Sequence, residues 1–137
     1  MDPNRLTAIP IFSHLSEEEA RRLATYATET SVADGQILMK QGDYSVELIA
    51  IEEGTADVVR DGKKIASLKQ GDLIGEMGLL ERTPRTADVV ATSPMRVVKL
   101  THWEIRRMSE ETVGRIEKII EERRRDGVAD PGHPGGD

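Results

Sequence analysis

The amino-acid sequence predicts a mainly β protein with flanking helices: an antiparallel β-sandwich with an N-terminal helix, a short helix after Gly75 and two C-terminal helices. Three observations carry this reading. Gly35, Gly42, Gly54, Gly62 and Gly71 punctuate short apolar or alternating runs between about residues 29 and 100, the texture of strands joined by tight turns. Capped runs with helical apolar spacing lie on both sides of that region. The length of 137 residues fits one domain with its own core. Aromatic residues make up only 3% of the chain, so that core must rest on Ile, Leu, Val and Met.

The N-terminal helix opens at Ser16-Glu17-Glu18-Glu19, a capping box in which Ser16 accepts from the third helical N–H and Glu19 reaches back. It is expected to run to about Thr28, with Ala20, Leu23, Ala24 and Ala27 on one face, and Ile9, Ile11, Phe12 and Leu15 form an apolar lead-in. Val46–Glu53 reads as a mostly buried strand because its apolar run is nearly continuous. Asp61-Gly62 between Ala56–Arg60 and Lys63–Leu68 is a two-residue hairpin turn, since both residues tolerate positive φ. Thr86–Thr92 and Arg96–Leu100 read as strands joined at Ser93-Pro94. Thr101 caps a short helix carrying Trp103, Ile105 and Met108, with Trp103 expected in the core. A longer helix from about Glu110 to Arg125 follows, with Val113, Ile116, Ile119 and Ile120 on one face. Residues 1–125 are thus expected to form one domain, and the Gly-, Pro- and Asp-rich stretch 126–137 a disordered tail.

The chemistry concentrates in Gly75-Glu76-Met77-Gly78-Leu79-Leu80 and Pro84-Arg85-Thr86-Ala87. Turn glycines let backbone N–H groups approach an anion. The first turn of a short helix adds further unpaired donors. Arg85 offers a bidentate, permanently charged grip on a phosphate, and Pro84 pre-sets the turn before it. Glu76 is acceptor-only, so it suits a sugar hydroxyl and repels phosphate. Together these groups can hold a hydroxyl and a phosphate of one ligand. Taken singly, Arg85 reads as a surface arginine and Glu76 as a helix N-terminal carboxylate, and the latter is compatible with the binding role.

This segment resembles the phosphate-binding cassette of the cyclic nucleotide-binding domain family, found in cyclic-nucleotide-dependent kinases, gated channels and the catabolite activator protein. The matching residues are Gly75-Glu76, Leu79-Leu80 and Pro84-Arg85-Thr86-Ala87, at the family's step from Glu76 to Arg85. Gln41-Gly42-Asp43, Leu48–Ile51, Gly54 and Lys69-Gln70-Gly71-Asp72 extend the likeness over roughly residues 9–122. Aliphatic residues stand where relatives often carry aromatics, at 48–50 and 74.

The resemblance implies a jelly-roll sandwich and a ligand that is cAMP or cGMP. It implies that Arg85 binds the phosphate and Glu76 the ribose 2′-hydroxyl, with Gly75, Met77 and Ala87 acting through backbone groups. Threonine at position 86 can donate to phosphate or accept from the guanine amine; in the family it often accompanies cGMP, and alanine accompanies cAMP. The bacterial style of the likeness inclines towards cAMP. Candidate base contacts are Val59, Ile74 and Val89 on strands, and Ile116, Ile119 or Ile120 if the last helix closes as a lid. Each isoleucine reads equally well as a packing residue. Arg115 or Arg123 offers a cation for stacking on the base.

A non-catalytic sensor is therefore expected, with capture of ligand repositioning the last helix. The net charge of −6 argues against nucleic acid or an anionic membrane as main partner. A histidine–carboxylate metal enzyme is disfavoured because the region 29–100 contains no histidine, and the absence of cysteine excludes disulfides and thiolate metal sites. No cofactor or metal is expected. Cysteine-free composition, no signal-peptide pattern and no apolar run near ~20 residues fit a cytoplasmic protein. The alternatives are a ligand-free interaction domain of the same fold and the sensor half of a larger regulator. The apolar face of the last helix can serve a second copy, an effector protein or the ligand pocket.

Overall fold

The computed structural model describes residues 1–42, 47–74, 87–108 and 110–125, with backbone alone at 102, 106, 112 and 119–125. The expected tail 126–137 and the expected short helix after Gly75 lie outside the described residues.

The strands are β1 (Thr28–Val32), β2 (Ile37–Met39), β3 (Glu47–Glu53), β4 (Ala56–Arg60), β5 (Lys63–Leu68), β6 (Leu73–Ile74), β7 (Asp88–Ala91) and β8 (Met95–Thr101). They form two four-stranded antiparallel sheets, ordered β1-β8-β3-β6 and β2-β7-β4-β5. Neighbours in each sheet are mostly distant in sequence, as in the expected jelly roll. Helices α1 (Pro3–Thr7), α2 (Glu17–Tyr26), α3 (His102–Arg106) and α4 (Glu110–Arg125) flank them.

The first sheet lies between two cores. On one face, Val32, Ile49, Ile51, Ile74, Met95 and Val97 meet Met39, Ala56, Val58, Leu68, Ala87, Val89 and Ala91 of the second sheet and its lead-ins. On the other, Leu48, Ala50, Leu73, Val98 and Leu100 meet Leu6, Ile11, Phe12, Leu23, Ile105 and Ile116 of the helical layer. Successive strand residues point to opposite faces, so a strand between two cores must be apolar at every position. Leu48, Ile49, Ala50 and Ile51 on β3 meet that demand, and each is at most 3% exposed.

Local chemistry explains the element ends. Ser16 and Glu19 form the reciprocal capping box that opens α2, with both bonds at 3.1 Å. Thr101 and Glu104 repeat the device at α3. At the β4–β5 hairpin Asp61 has φ 51° and Gly62 φ 80°, the left-handed pair that a two-residue turn requires. Helix α2 stops at Tyr26, two residues before the expected limit, because Ala27 is already extended and leads into β1.

The apolar lead-in is itself structured. Asp2 caps α1 by accepting from the Asn4 N–H at 2.8 Å, and Pro10–Phe12 forms a 3-10 helix. Arg5 clamps α1 to the first sheet through Glu52, with Nε–Oε2 at 2.9 Å and the terminal nitrogen to Oε1 at 2.6 Å. Glu29 and Arg96 complete an alternating charge network there. Trp103 is 54% exposed and does not belong to the core expected for it, because its position on α3 turns the ring outward while Ile105 fills the interior.

Candidate functional site

Gly75, Glu76, Met77, Arg85 and Thr86 lie outside the described residues. The two ends of their segment are described, and they define how it is held. Strand β6 is the edge of the first sheet, with Leu73 opposite Ala50 and Ile74 opposite Ile49. The chain returns at Ala87 and enters β7, an interior strand of the second sheet between β2 and β4. Residues 75–86 thus connect the rim of one sheet to the middle of the other. Ile74 and Ala87 are both 0% exposed and belong to the same inter-sheet core. Burial of these two anchors ties both ends of the segment to packed, rigid strands, the support that a binding loop needs.

Hydrogen bonds reinforce the anchors. Before β6, the Lys69 N–H donates to Asp72 Oδ2 at 2.8 Å, and Asp72 N–H donates to Lys69 O at 3.0 Å. Gly71 N–H donates to Ile51 O at 2.9 Å and Ile51 N–H to Asp72 O at 3.0 Å, so this turn prolongs the β3–β6 pairing.

After the segment, Asp88 accepts from the Gln41 N–H at 2.6 Å. The Gln41 amide then spans to the hairpin, donating from Nε2 to Asp61 Oδ1 at 3.0 Å and accepting from Asp61 N–H at 3.3 Å. Gln41 therefore ties the start of β7 to the hairpin turn at Asp61. Sequence reading placed Gln41 only in a turn and missed Asp61 and Asp88 as its partners. An amide and carboxylates at turns were visible, but no local spacing joins positions 41, 61 and 88.

The candidate base contacts divide by location. Ile74 and Val89 are 0% exposed and sit with Ala87 in the inter-sheet core. Val59 is half-buried opposite Asp88 on β4, on the face away from Val58, which points into that core. Ile116 is 0% exposed but lies in the helical core, where α4 packs against the 3-10 helix and α3. The side chains of Ile119 and Ile120 lie outside the described residues.

A separate cleft of about 510 Å³ opens beside the Lys69–Asp72 turn, lined by residues including Arg5, Pro10, Glu52, Glu53, Gln70 and Gly71. It suits a phosphate poorly, because Arg5 is already engaged by Glu52 and a second carboxylate lies at the rim. Among the described residues, no group of three or more His, Asp or Glu side chains could hold a metal ion. No described helix is long and apolar enough to cross a membrane.

Comparison with known proteins matches this architecture. The model of the cyclic nucleotide-binding domain covers residues 29–112. The cAMP-dependent protein kinase regulatory subunit of Hypocrea atroviridis is 30% identical over 128 residues, which is 93% of this chain and 27% of that protein. The chain thus spans about a quarter of the length of that curated relative. A solved structure described as cAMP-bound PfPKA-R superposes with a TM-score of 0.78 at 27% identity, covering 90% of this chain and 43% of the other. The regulatory subunit of a cAMP-independent protein kinase A from Trypanosoma brucei gives a TM-score of 0.76 at 27% identity, over 89% of this chain and 44% of the other. With more than half its length matched by the family model, and with both ends of the diagnostic segment anchored in one core, this chain belongs to the cyclic nucleotide-binding domain family.

Proposed function

We propose that the chain is a sensor domain that captures a cyclic nucleotide on residues 75–87 and passes the event to a partner protein by repositioning α4. In this reading the Arg85 guanidinium binds the cyclic phosphate and Glu76 accepts from the ribose 2′-hydroxyl. Backbone groups of Gly75, Met77 and Ala87 complete the cradle, and the Thr86 hydroxyl adds a contact to the phosphate. The charge-assisted bond from Arg85 is worth about 1.5–3 kcal/mol, roughly ten- to a hundredfold in affinity. The observation that carries the proposal is the family match over residues 29–112, inside which these residue types stand in the family's order.

The preferred ligand is cAMP over cGMP. The relative from Hypocrea atroviridis is named as cAMP-dependent and a structural neighbour is described as cAMP-bound, which supports that order. The Hypocrea atroviridis relative is a regulatory subunit by name, which supports a non-catalytic module read out by another protein. Ligand can drive such a readout only by binding one position of α4 more tightly than the other.

Isothermal titration with cAMP, cGMP and a cyclic dinucleotide side by side tests this. Saturable heat with cAMP, weaker with cGMP and absent with the dinucleotide is expected. No heat with any of the three overturns the sensor assignment.

A further inference from the structure

One polar side chain in the helical layer has no use in the cradle described above. His14 follows the 3-10 helix and precedes the Ser16 cap of α2. As a residue it is half-buried, yet both ring nitrogens are covered and neither has a hydrogen-bond partner among the described residues. A buried imidazole without partners is a costly arrangement, and it becomes costlier when the ring is charged.

The charges that act on it belong to both neighbouring helices: the Arg115 guanidinium on α4 and the Glu19 carboxylate on α2. Glu111, one turn before Arg115 on α4, holds the Arg115 guanidinium by an ion pair. Next to Arg115 in sequence, Ile116 is fully buried in the same cluster as Ile11, Phe12 and Leu15, so α4 closes directly over the segment that carries His14.

We propose that His14 makes the docking of α4 proton-dependent, with the docked helix holding the ring neutral and acid releasing the helix. Burial lowers the affinity of His14 for a proton below its ordinary value of 6.5, Arg115 lowers it further, and Glu19 partly opposes. The sign follows from linkage. A base that is harder to protonate when docked leaves docking at full strength above about 6.5, where both states are neutral. Docking weakens as pH falls below that value, because the released ring gains its proton in water more readily than the docked ring does. The Glu19 carboxylate, held below the usual range chiefly by its bond from the Ser16 backbone, stays charged through this window. In consequence the sensor's output would depend on acidity as well as on nucleotide. The output half of that statement rests on the cyclic nucleotide assignment; the proton-linked docking does not.

The chain contains no cysteine, so a pair of introduced cysteines can be labelled uniquely. Exposed Arg21 on α2 and exposed Lys118 on α4 serve, as Arg21→Cys and Lys118→Cys with spin labels. Pulsed distance measurements between pH 7.5 and 5.5, with and without cAMP, then report α4. The expected result is loss of the docked-state distance population on acidification, abolished by His14→Gln and diminished by Arg115→Gln. A distance distribution that does not change with pH overturns the proposal, as does an unchanged acid response in both variants. Circular dichroism of each variant confirms folding, and Arg115→Gln keeps the test decisive should His14→Gln not fold. Absence of any response to cAMP with the acid response intact would count against the nucleotide assignment alone.

Discussion

At the scale of single residues, a few side chains and one missing side chain control how the sheets meet. Gly54 ends β3 with φ 99°, and a Cβ there would lie 2.6 Å from the Pro94 carbonyl oxygen and 2.8 Å from Met95 Cγ. The adjoining turns are stitched by the Thr55 N–H donating to Ser93 Oγ at 2.9 Å and Thr92 N–H donating to Thr55 O at 2.9 Å. A side chain must therefore push the two turns apart while also adopting an unfavourable backbone conformation. Gly54→Ala is expected to cost about 2 kcal/mol or more in urea unfolding. Because this turn is distant in sequence from residues 75–87 and not hydrogen-bonded to Asp88, cAMP affinity should stay within about twofold of native under folding conditions, as expected for independent sites.

Residue scale is also where sequence reading was weakest. Asp61-Gly62 and Ser16-Glu19 were legible because the chemistry is local: positive φ and a capping box are decided within four residues. Asp2-Pro3, an N-cap followed by proline at the first helical position, was an equally local signal for α1 that the reading passed over. Trp103 was misplaced for a different reason. Whether a ring on a short helix faces in or out depends on how that helix docks, and nothing in its neighbours' spacing states that.

At the scale of elements, five of the described strands were readable, β1, β2 and β6 were not assigned, and strand order was not legible. Ala56–Arg60 and Lys63–Leu68 appear with their expected limits, and the run of four apolar residues on β3 announced burial on both faces. That β7 lies between β2 and β4, and β8 between β1 and β3, is decided by contacts across the whole chain. The same non-locality hid Gln41, whose partners stand at 61 and 88. Its consequence belongs to this scale, because it fixes where β7 begins relative to Ala87. Asp88→Ala removes the acceptor of the Gln41 N–H and is expected to cost about 1 kcal/mol in stability. Unlike Gly54→Ala, it should also weaken cAMP binding several-fold in calorimetry, since it loosens the strand on which the binding segment ends. Equal affinity for the native chain and Asp88→Ala would show that this tether does not position the segment.

At the scale of the whole molecule, the layering gives the ends of the proposed binding segment and α4 different kinds of attachment. The segment is anchored at Ile74 and Ala87 in the inter-sheet core, while α4 rests through Ile116 on the helical core across the first sheet. Residues Ile49, Ala50 and Ile51 of β3 supply side chains alternately to both cores, so the sheet between them is the physical link from one to the other. The family likeness was legible in the sequence because the cassette residues are contiguous, whereas this separation of anchors appears only in three dimensions.

The central claim, that residues 75–87 hold a cyclic nucleotide through one guanidinium, is tested most directly by titrating cAMP into the native chain and Arg85→Ala in the calorimeter. The account predicts saturable binding to the native chain and at least tenfold weaker binding to the variant, with the melting temperature of the ligand-free protein essentially unchanged. Equal affinity in the two proteins would contradict it.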